Sequence, residues 1–528
     1  MAQHLLSLLV FLPLVALAVV LGIPANARPG VFRAILSLVT GGQLVLAAYL
    51  FWGFDPARTG ITDPGSLAYA ERADWITLRM GGLGELSIDY FVGVDGLSMP
   101  LVLLAALVLF AGAVASHTIG RRVKGYAALY LLLSTSVVGC FVALDFFLFF
   151  LFFEFMLLPM YFLIGIWGGA RREYAAIKFF LYTLVGSVCI LVVMIGLYLS
   201  VAEPGGAHTF DILAMTQPGL YVPGSLLHPA SGVRLAGLPL REVAFLLLFV
   251  GFAVKLPAVP VHTWLPDAHV EAPTPISVVL AGILLKVGAY GLLRIAYPVF
   301  PAEAAHYASL VGGLGTVSIL YAALNALAAD DLKRMVAYSS VSHMGFVLVG
   351  IASVTVEGVS GAVYMLFSHG VLSALLFLLV GVLYERTHDK AISNYRGLAG
   401  PMPHYTAATT VAFFASLGLP GFSGFIGEFF TLIGAFGAEA FPRWVPFGAL
   451  LGLIAGAAYF LWTLQRMFFG PLWTRDAAWQ GHLPDLRLGE KALLYGLGAL
   501  SLVLGLFPHL LFGKMENTLT HWVAWIVK

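Results

Sequence analysis

Charge is scarce in this chain. Asp, Glu, Lys and Arg make up only 10% of its 528 residues, and 28 basic against 27 acidic side chains leave a net charge of +1. That balance provides no basic surface for a nucleic-acid backbone. Cysteine is scarcer still. Cys140 and Cys189 are the only two, too few and too far apart to ligate an iron–sulfur cluster or build a disulfide framework, so any redox chemistry is expected elsewhere. No glycine-rich nucleotide loop occurs in a strand–helix context. What is abundant is apolar: 60% of residues are hydrophobic and mean hydropathy is +0.93. A soluble enzyme is excluded, and an integral membrane protein is expected.

Apolar runs of about 20 residues, the length that crosses roughly 30 Å of hydrocarbon, recur along the whole chain. Fourteen candidate spans lie near 3–23, 31–53, 92–116, 125–143, 145–168, 175–201, 242–265, 274–297, 307–328, 334–353, 359–384, 405–434, 445–469 and 490–512. These runs are continuous rather than alternating, which favours helices over a lipid-facing barrel. The predicted fold is therefore an all-α polytopic membrane protein forming one transmembrane domain over 1–528. The first run lacks a charged leader and an early cleavage pattern and is expected to be a retained helix. Seventeen Lys and Arg fall in the connections after odd-numbered spans and nine, Arg294 among them, in the remaining loops and ends. The positive-inside bias then puts both termini outside. The 54–91 and 202–241 connections are the only sizeable extramembrane pieces, and neither is long enough for a catalytic domain. The stretch 515–527 suits either an interfacial helix or one packed on the bundle.

Six ionisable residues lie near mid-depth in six different spans: Glu154, Lys255, Lys286, His343, His369 and Glu428. A charge at the bilayer centre costs about 2.5–3.5 kcal/mol on insertion scales, so several retained together need partners or a use. A structural ion pair between Glu154 and Lys255 is the competing account, with the histidines bonded to nearby carbonyls. Six such groups at one depth fit better with proton transfer, because buried pairs rarely stabilise more than apolar packing. A buried lysine loses its proton more readily, a nearby carboxylate opposes that loss, and histidine both donates and accepts. Ser339, Ser340, Ser342 and Ser368 are placed to order water between them.

Helix breaks give a second signal. Leu256-Pro257 with Pro260 follows Lys255, and Leu419-Pro420-Gly421 precedes Glu428. The seventh and twelfth spans are expected to be interrupted, each fourth in a five-helix stretch (spans 4–8 and 9–13), as in inverted-repeat transporters. The segment from Pro257 to Pro273 reads as a rigid loop. Its His262, Asp267, His269 and Glu271 match no common zinc spacing and read as polar lining at a channel mouth. Asp89, Asp95 and Asp145 read as helix-start carboxylates, and Asp330, Asp331, Lys333 and Arg334 as an interfacial cluster.

Four stretches carry a resemblance: EFMLLPMYFLIGIWGG from Glu154, KLPAVPVHTWLPDAHVEAPTPISVVLAGILLKVGAYGLLR from Lys255, DDLKRMVAYSSVSHMGF from Asp330 and GLPGFSGFIGEF from Gly418. They resemble the antiporter-like membrane subunits of proton-pumping NADH:quinone oxidoreductase, respiratory complex I, most closely the subunit M branch that includes mitochondrial subunit 4. The resemblance runs over essentially the whole chain. It implies fourteen helices with two inverted five-helix repeats, 125–297 and 307–469, flanked by N-terminal helices within 1–116 and a C-terminal helix and tail at 490–528. It implies that Glu154 pairs with Lys255, that Lys286 sits mid-axis with His343 and His369 as relays, and that Glu428 occupies a position that is glutamate in this branch and usually lysine in the sister subunits L and N. NADH, flavin, iron–sulfur clusters and quinone are expected in partner subunits, with no cofactor or metal in this chain. Its partners are expected to be other complex I membrane subunits, L and N especially, in the bacterial inner membrane or an equivalent. A sodium/proton antiporter subunit and a membrane-bound hydrogenase subunit are the alternatives.

Overall fold

The structure, a computed structural model, describes residues 4–79, 85–204, 206–476, 479 and 483–528. Among these, twelve helices are long and apolar enough to cross a membrane. They are α1 (Leu5–Gly22), α2 (Pro29–Gly53), α3 (Ser98–Thr118), α4 (Val123–Val142), α5 (Phe146–Trp167), α6 (Arg172–Tyr198), α9 (Thr274–Val299), α10 (Ala308–Leu327), α11 (Leu332–Ser353), α12 (Val356–Thr387), α15 (Trp444–Phe468) and α16 (Leu488–Leu506).

The two remaining candidate spans are each split. The seventh becomes α7 (Leu240–Lys255), a non-helical stretch through Pro257 and Pro260, and α8 (Trp264–Glu271). Proline cannot donate a backbone hydrogen bond and its ring blocks the preceding turn, so α7 stops at the lysine itself. The twelfth becomes α13 (Pro403–Ser416) and α14 (Ser423–Gly437). Gly418 and Gly421 take positive φ between them, at 79° and 100°, a region glycine enters without Cβ strain. The expected 257–273 loop is therefore corrected: Trp264–Glu271 within it is α8, whose Trp264, Leu265, Ala268 and His269 are buried. The last candidate span ends at Leu506, and the chain re-enters a helix as α17 (His509–Val527). That helix packs on the bundle, where the Trp522 indole N–H donates to the Leu293 carbonyl at 2.7 Å.

Helix starts follow the capping side chains. Asp145 accepts from the Leu148 amide at α5, Asp331 from Arg334 at α11, and Thr355 from Gly358 at α12, each satisfying an otherwise orphaned N–H. The 54–91 connection holds an antiparallel hairpin, β1 (Ala68–Arg79) with β2 (Glu85–Val94). Arg72 pairs with Asp89 within the hairpin at 2.7 Å and fastens it to the 202–241 connection through Glu203 at 2.8 Å and Asp211 at 3.2 Å. The centre of the bundle is formed by α9, α11 and α12, which are almost wholly buried, while α1, α2, α6, α15 and α16 keep large outward apolar faces.

Candidate functional site: a buried polar row

α9 is buried along its full length and winds as a π-helix at Leu280–Leu284 and again at Leu292–Ala296. π-turns widen the helix and leave carbonyls that α-helical bonding would use. Lys286 lies between the two, and its Nζ donates to the Ala281 carbonyl at 2.6 Å. The same Nζ is 2.7 Å from His369 Nδ1 on α12. His369 faces His343 on α11 with ring centroids 5.3 Å apart. His343 Nε2 is 3.1 Å from the Ser416 carbonyl, at the end of α13, and 3.6 Å from the Glu428 carboxylate on α14. Four of the six expected residues thus form one continuous row, Lys286–His369–His343–Glu428, drawn from four helices.

A small cavity borders the middle of this row, lined by Ser339, His343, His369, Ser373, Ser416 and Gly424 among others. Three atoms along the row or its margin have no hydrogen-bond partner: His343 Nδ1, Ser416 Oγ and Glu428 Oε2. Unpaired buried polar atoms beside a cavity are what bridging water satisfies. The break before α14 shapes this end, since a Cβ on Gly418 would collide with the Glu428 carboxylate. Of the serines expected to order water, Ser339 lines the cavity; its hydroxyl, like those of Ser340 and Ser342, donates to a backbone carbonyl, and Ser368 bonds Ser423.

Glu154 and Lys255 form the other end of the set, but not as a direct ion pair. Lys255 Nζ donates to the Phe153 carbonyl at 2.9 Å and sits 3.4 Å from the Phe153 ring centroid. Glu154 is near enough to act on Lys255 electrostatically and lies beside Ser187 of α6. The lysine reaches the backbone one residue before the glutamate, which is half-buried and keeps its Oε1 buried without a hydrogen-bond partner. The end of α7 is pressed against α9 where Gly288 and Gly291 leave no room for a Cβ against Leu256 and Phe252. Lys255 is thereby brought alongside the helix that carries Lys286.

Other charges lie where the sequence reading did not put them. Arg294, counted among the loops, is buried in α9 and pairs with Asp95 at 2.6 Å. Asp95 also accepts from the Leu97 and Ser98 amides at the start of α3. The signal was available, because the apolar run of α9 continues past Arg294 to Val299. Lys333, expected at an interface, is buried in α11 and donates to the Ala272 carbonyl. His269 is fully buried, stacks on Phe377 at 4.3 Å, has no hydrogen-bond partner on either ring nitrogen, and lies within electrostatic reach of Lys286 and Lys333.

The four metal-type residues of the 257–273 segment are separated by their contacts. Asp267 pairs with Lys178 at 2.7 Å, Glu271 accepts from the Arg171 amide at 2.8 Å, His269 stacks on Phe377, and His262 meets the ring of Tyr321. No cluster of three metal-type ligands occurs among the described residues.

The family described as NADH:quinone oxidoreductase/Mrp antiporter, TM, matches residues 143–452, which contain the whole polar row. The chain belongs to this family. Across the family, it is 40% identical to NADH-quinone oxidoreductase subunit M of Rhodobacter capsulatus over 99% of its own length and 96% of the relative's. It is 39% identical to NAD(P)H-quinone oxidoreductase chain 4 1 of Synechococcus sp. strain JA-3-3Ab, over 96% and 90%. Among solved structures it is similar to a chain of respiratory complex I from Thermus thermophilus with bound NADH, with TM-score 0.80, 33% identity and full coverage of both chains.

Proposed function

We propose that this chain is a proton-translocating membrane-arm subunit of NADH:quinone oxidoreductase, and that Glu154, Lys255, Lys286, His369, His343 and Glu428 carry the proton. The observation that supports this best is the unbroken row from Lys286 to Glu428, in which neighbouring groups are close enough to exchange a proton directly or through one water. Loss or gain of charge at Glu154 alters how firmly Lys255 holds its proton. Lys286 and the histidines pass it on, and Glu428 releases it. A polar cavity lined by Glu271, Lys333, Glu385, His388 and Lys390 is the mouth on this reading, with His269 behind it.

Moving one proton against the membrane potential takes about 2.3 kcal/mol per 100 mV. Quinone reduction in partner subunits supplies that energy, and NADH, flavin, iron–sulfur clusters and quinone belong to those subunits. Counting α7 with α8 and α13 with α14 as single broken spans gives fourteen. The architecture is then one domain with two inverted five-helix repeats, 125–297 and 307–469, preceded by 1–116 and followed by 490–528. Burial of Arg294 and Lys333 removes one basic residue from each side of the positive-inside comparison and leaves its sign unchanged. Both termini accordingly face the outer side of a bacterial inner membrane or its equivalent, with antiporter-like subunits L and N as neighbours.

The test is Lys255→Ala in the assembled complex, reconstituted in liposomes and assayed for NADH oxidation and acidification together. Reduced acidification per NADH is expected, and unchanged pumping with Lys255→Ala would exclude the relay.

A further inference from the structure

On the face of the bundle opposite the β1–β2 hairpin, a cavity opens between the end of α3, the end of α12 and the start of α16, and about 800 Å³ within it is free of protein atoms. Each helix sorts its lining in the same order. On α12, Glu385 stands in the last turn, with Val382 and Leu378 one and two turns deeper. α16 places Arg487 at its N-cap and Leu493 within, and α3 ends with His117 outside Val114. The cavity is thus charged at the membrane surface and apolar toward mid-span. Glu385 also lines the polar cavity of Lys333 and Lys390, which the deep end does not reach. The surface charges are not matched among themselves. Glu490 is taken by Arg386, at 2.7 and 3.2 Å, and by the Arg487 amide. Glu385 is half-buried and, among the described residues, has neither a hydrogen bond nor an ion pair; His117, Arg386 and Arg487 act on it only electrostatically. His117 and Arg487 are exposed, and neither makes an ion pair among the described residues.

We propose that this cavity binds one phosphatidylethanolamine from the leaflet on that side, with its ammonium on Glu385, its phosphate between Arg487 and His117, and the first part of an acyl chain along Val382, Leu378 and Leu493. The charges select the headgroup. A half-buried carboxylate without a partner calls for a cationic donor. A primary ammonium offers three N–H groups, as a lysine does, whereas choline offers none and a lipid without an amine leaves Glu385 unmatched. The phosphate of the same headgroup carries the opposite charge a short reach away, and a guanidinium beside an imidazole suits it. Depth selects a lipid over a soluble zwitterion. From Glu385 to Leu378 the apolar wall descends about 10 Å at the helical rise, within the roughly 15 Å of one leaflet's hydrocarbon. Val114 and Leu493 are partly exposed, which leaves the side of the cavity open to a chain entering laterally.

The experiment treats the assembled complex, in phosphatidylcholine liposomes doped with phosphatidylethanolamine, with a water-soluble carbodiimide. The reagent joins a carboxylate to a primary amine in contact with it, forming an amide while the carbodiimide takes up the water lost, and mass spectrometry locates the lipid-bearing peptides. Glu385 is expected to couple to lipid about tenfold more than Glu173, an exposed carboxylate at the start of α6 on the same side, the ratio one charge-assisted hydrogen bond provides. Leu493→Trp, which fills the cavity from its partly exposed wall, should bring Glu385 down to the level of Glu173. Arg487→Ala should lower it about twofold to fivefold, the worth of one exposed ion pair. Coupling at Glu385 no stronger than at Glu173, or insensitive to Leu493→Trp, would overturn the proposal. So would Glu385 coupled to a lysine of a neighbouring subunit instead of lipid.

Discussion

Lys286 Nζ and His369 Nδ1 stand 2.7 Å apart, and an ammonium can only donate. While Lys286 is charged, Nδ1 must therefore accept and the imidazole proton must sit on Nε2, the nitrogen left for His343 and the cavity. The contact thus couples the charge of the lysine to the tautomer of the histidine. His369→Gln keeps a donor and an acceptor but cannot change protonation state. We expect it to slow proton transfer on the order of 10²-fold, measured as acidification of proteoliposomes per NADH oxidised, with assembly unchanged on native gels. Wild-type pumping in this variant would remove His369 from the path.

Gly418 and Gly421 offer a paired comparison at the break before α14. Both have positive φ, so alanine at either costs backbone strain of about 1–2 kcal/mol. Only at Gly418 does the new Cβ collide with Glu428. Gly418→Ala is expected to depress proton transfer as strongly as Glu428→Gln, whereas Gly421→Ala lowers thermal stability and leaves pumping near wild type.

Arg294→Met strands Asp95 as a buried charge without its partner. The expected cost is about 3–5 kcal/mol, read as a lower unfolding temperature in detergent and less assembled complex. Adding Asp95→Asn should restore most of the loss, because the remaining side chain is neutral and still caps α3.

Asp145, the capping residue that precedes the membrane-spanning α5, gives a pH dependence. Burial, reinforced by the Asp89 charge and opposed by amide hydrogen bonds from Leu148 and Asp89, lifts its carboxyl from the ordinary 3.8 to about 7. The folded state holds this proton more tightly than the unfolded chain does. Its contribution to stability is thus full below about pH 3.8 and is lost as pH rises through about 7. Amide exchange of β2, whose Asp89 amide bonds Asp145 at 3.3 Å, should quicken from pH 5 to pH 8 beyond the intrinsic base-catalysed rate. In Asp145→Asn, which retains a cap, that excess should vanish.

Much of this was legible in the amino-acid order. Long apolar runs located the spans, and Lys286, His343, His369 and Glu428 stood out because hydrocarbon tolerates so few ionisable groups. The prolines after Lys255 marked where α7 ends. They also misled, since proline-rich sequence reads as loop while a proline in a first helical turn costs little, and α8 went unseen with His269 inside it. Arg294 escaped because a cation near the end of an apolar run resembles an interfacial anchor. Its carboxylate, 199 residues earlier in the chain, is a tertiary fact. Of the Glu154–Lys255 pairing, the electrostatic proximity was foreseeable, but that the ammonium bonds the Phe153 carbonyl instead depends on how α5 sits against α7.

The carbonyls of Phe153 and Ala281 hold the two mid-membrane lysines, the first where a carboxylate was expected. Peptide dipoles solvate an ammonium without neutralising it, so a hydrogen ion that departs from Lys286 has no paired carboxylate to be pulled away from. Displacement along the row then amounts to reorienting fixed dipoles and a few waters, a smaller work term than separating ions in oil.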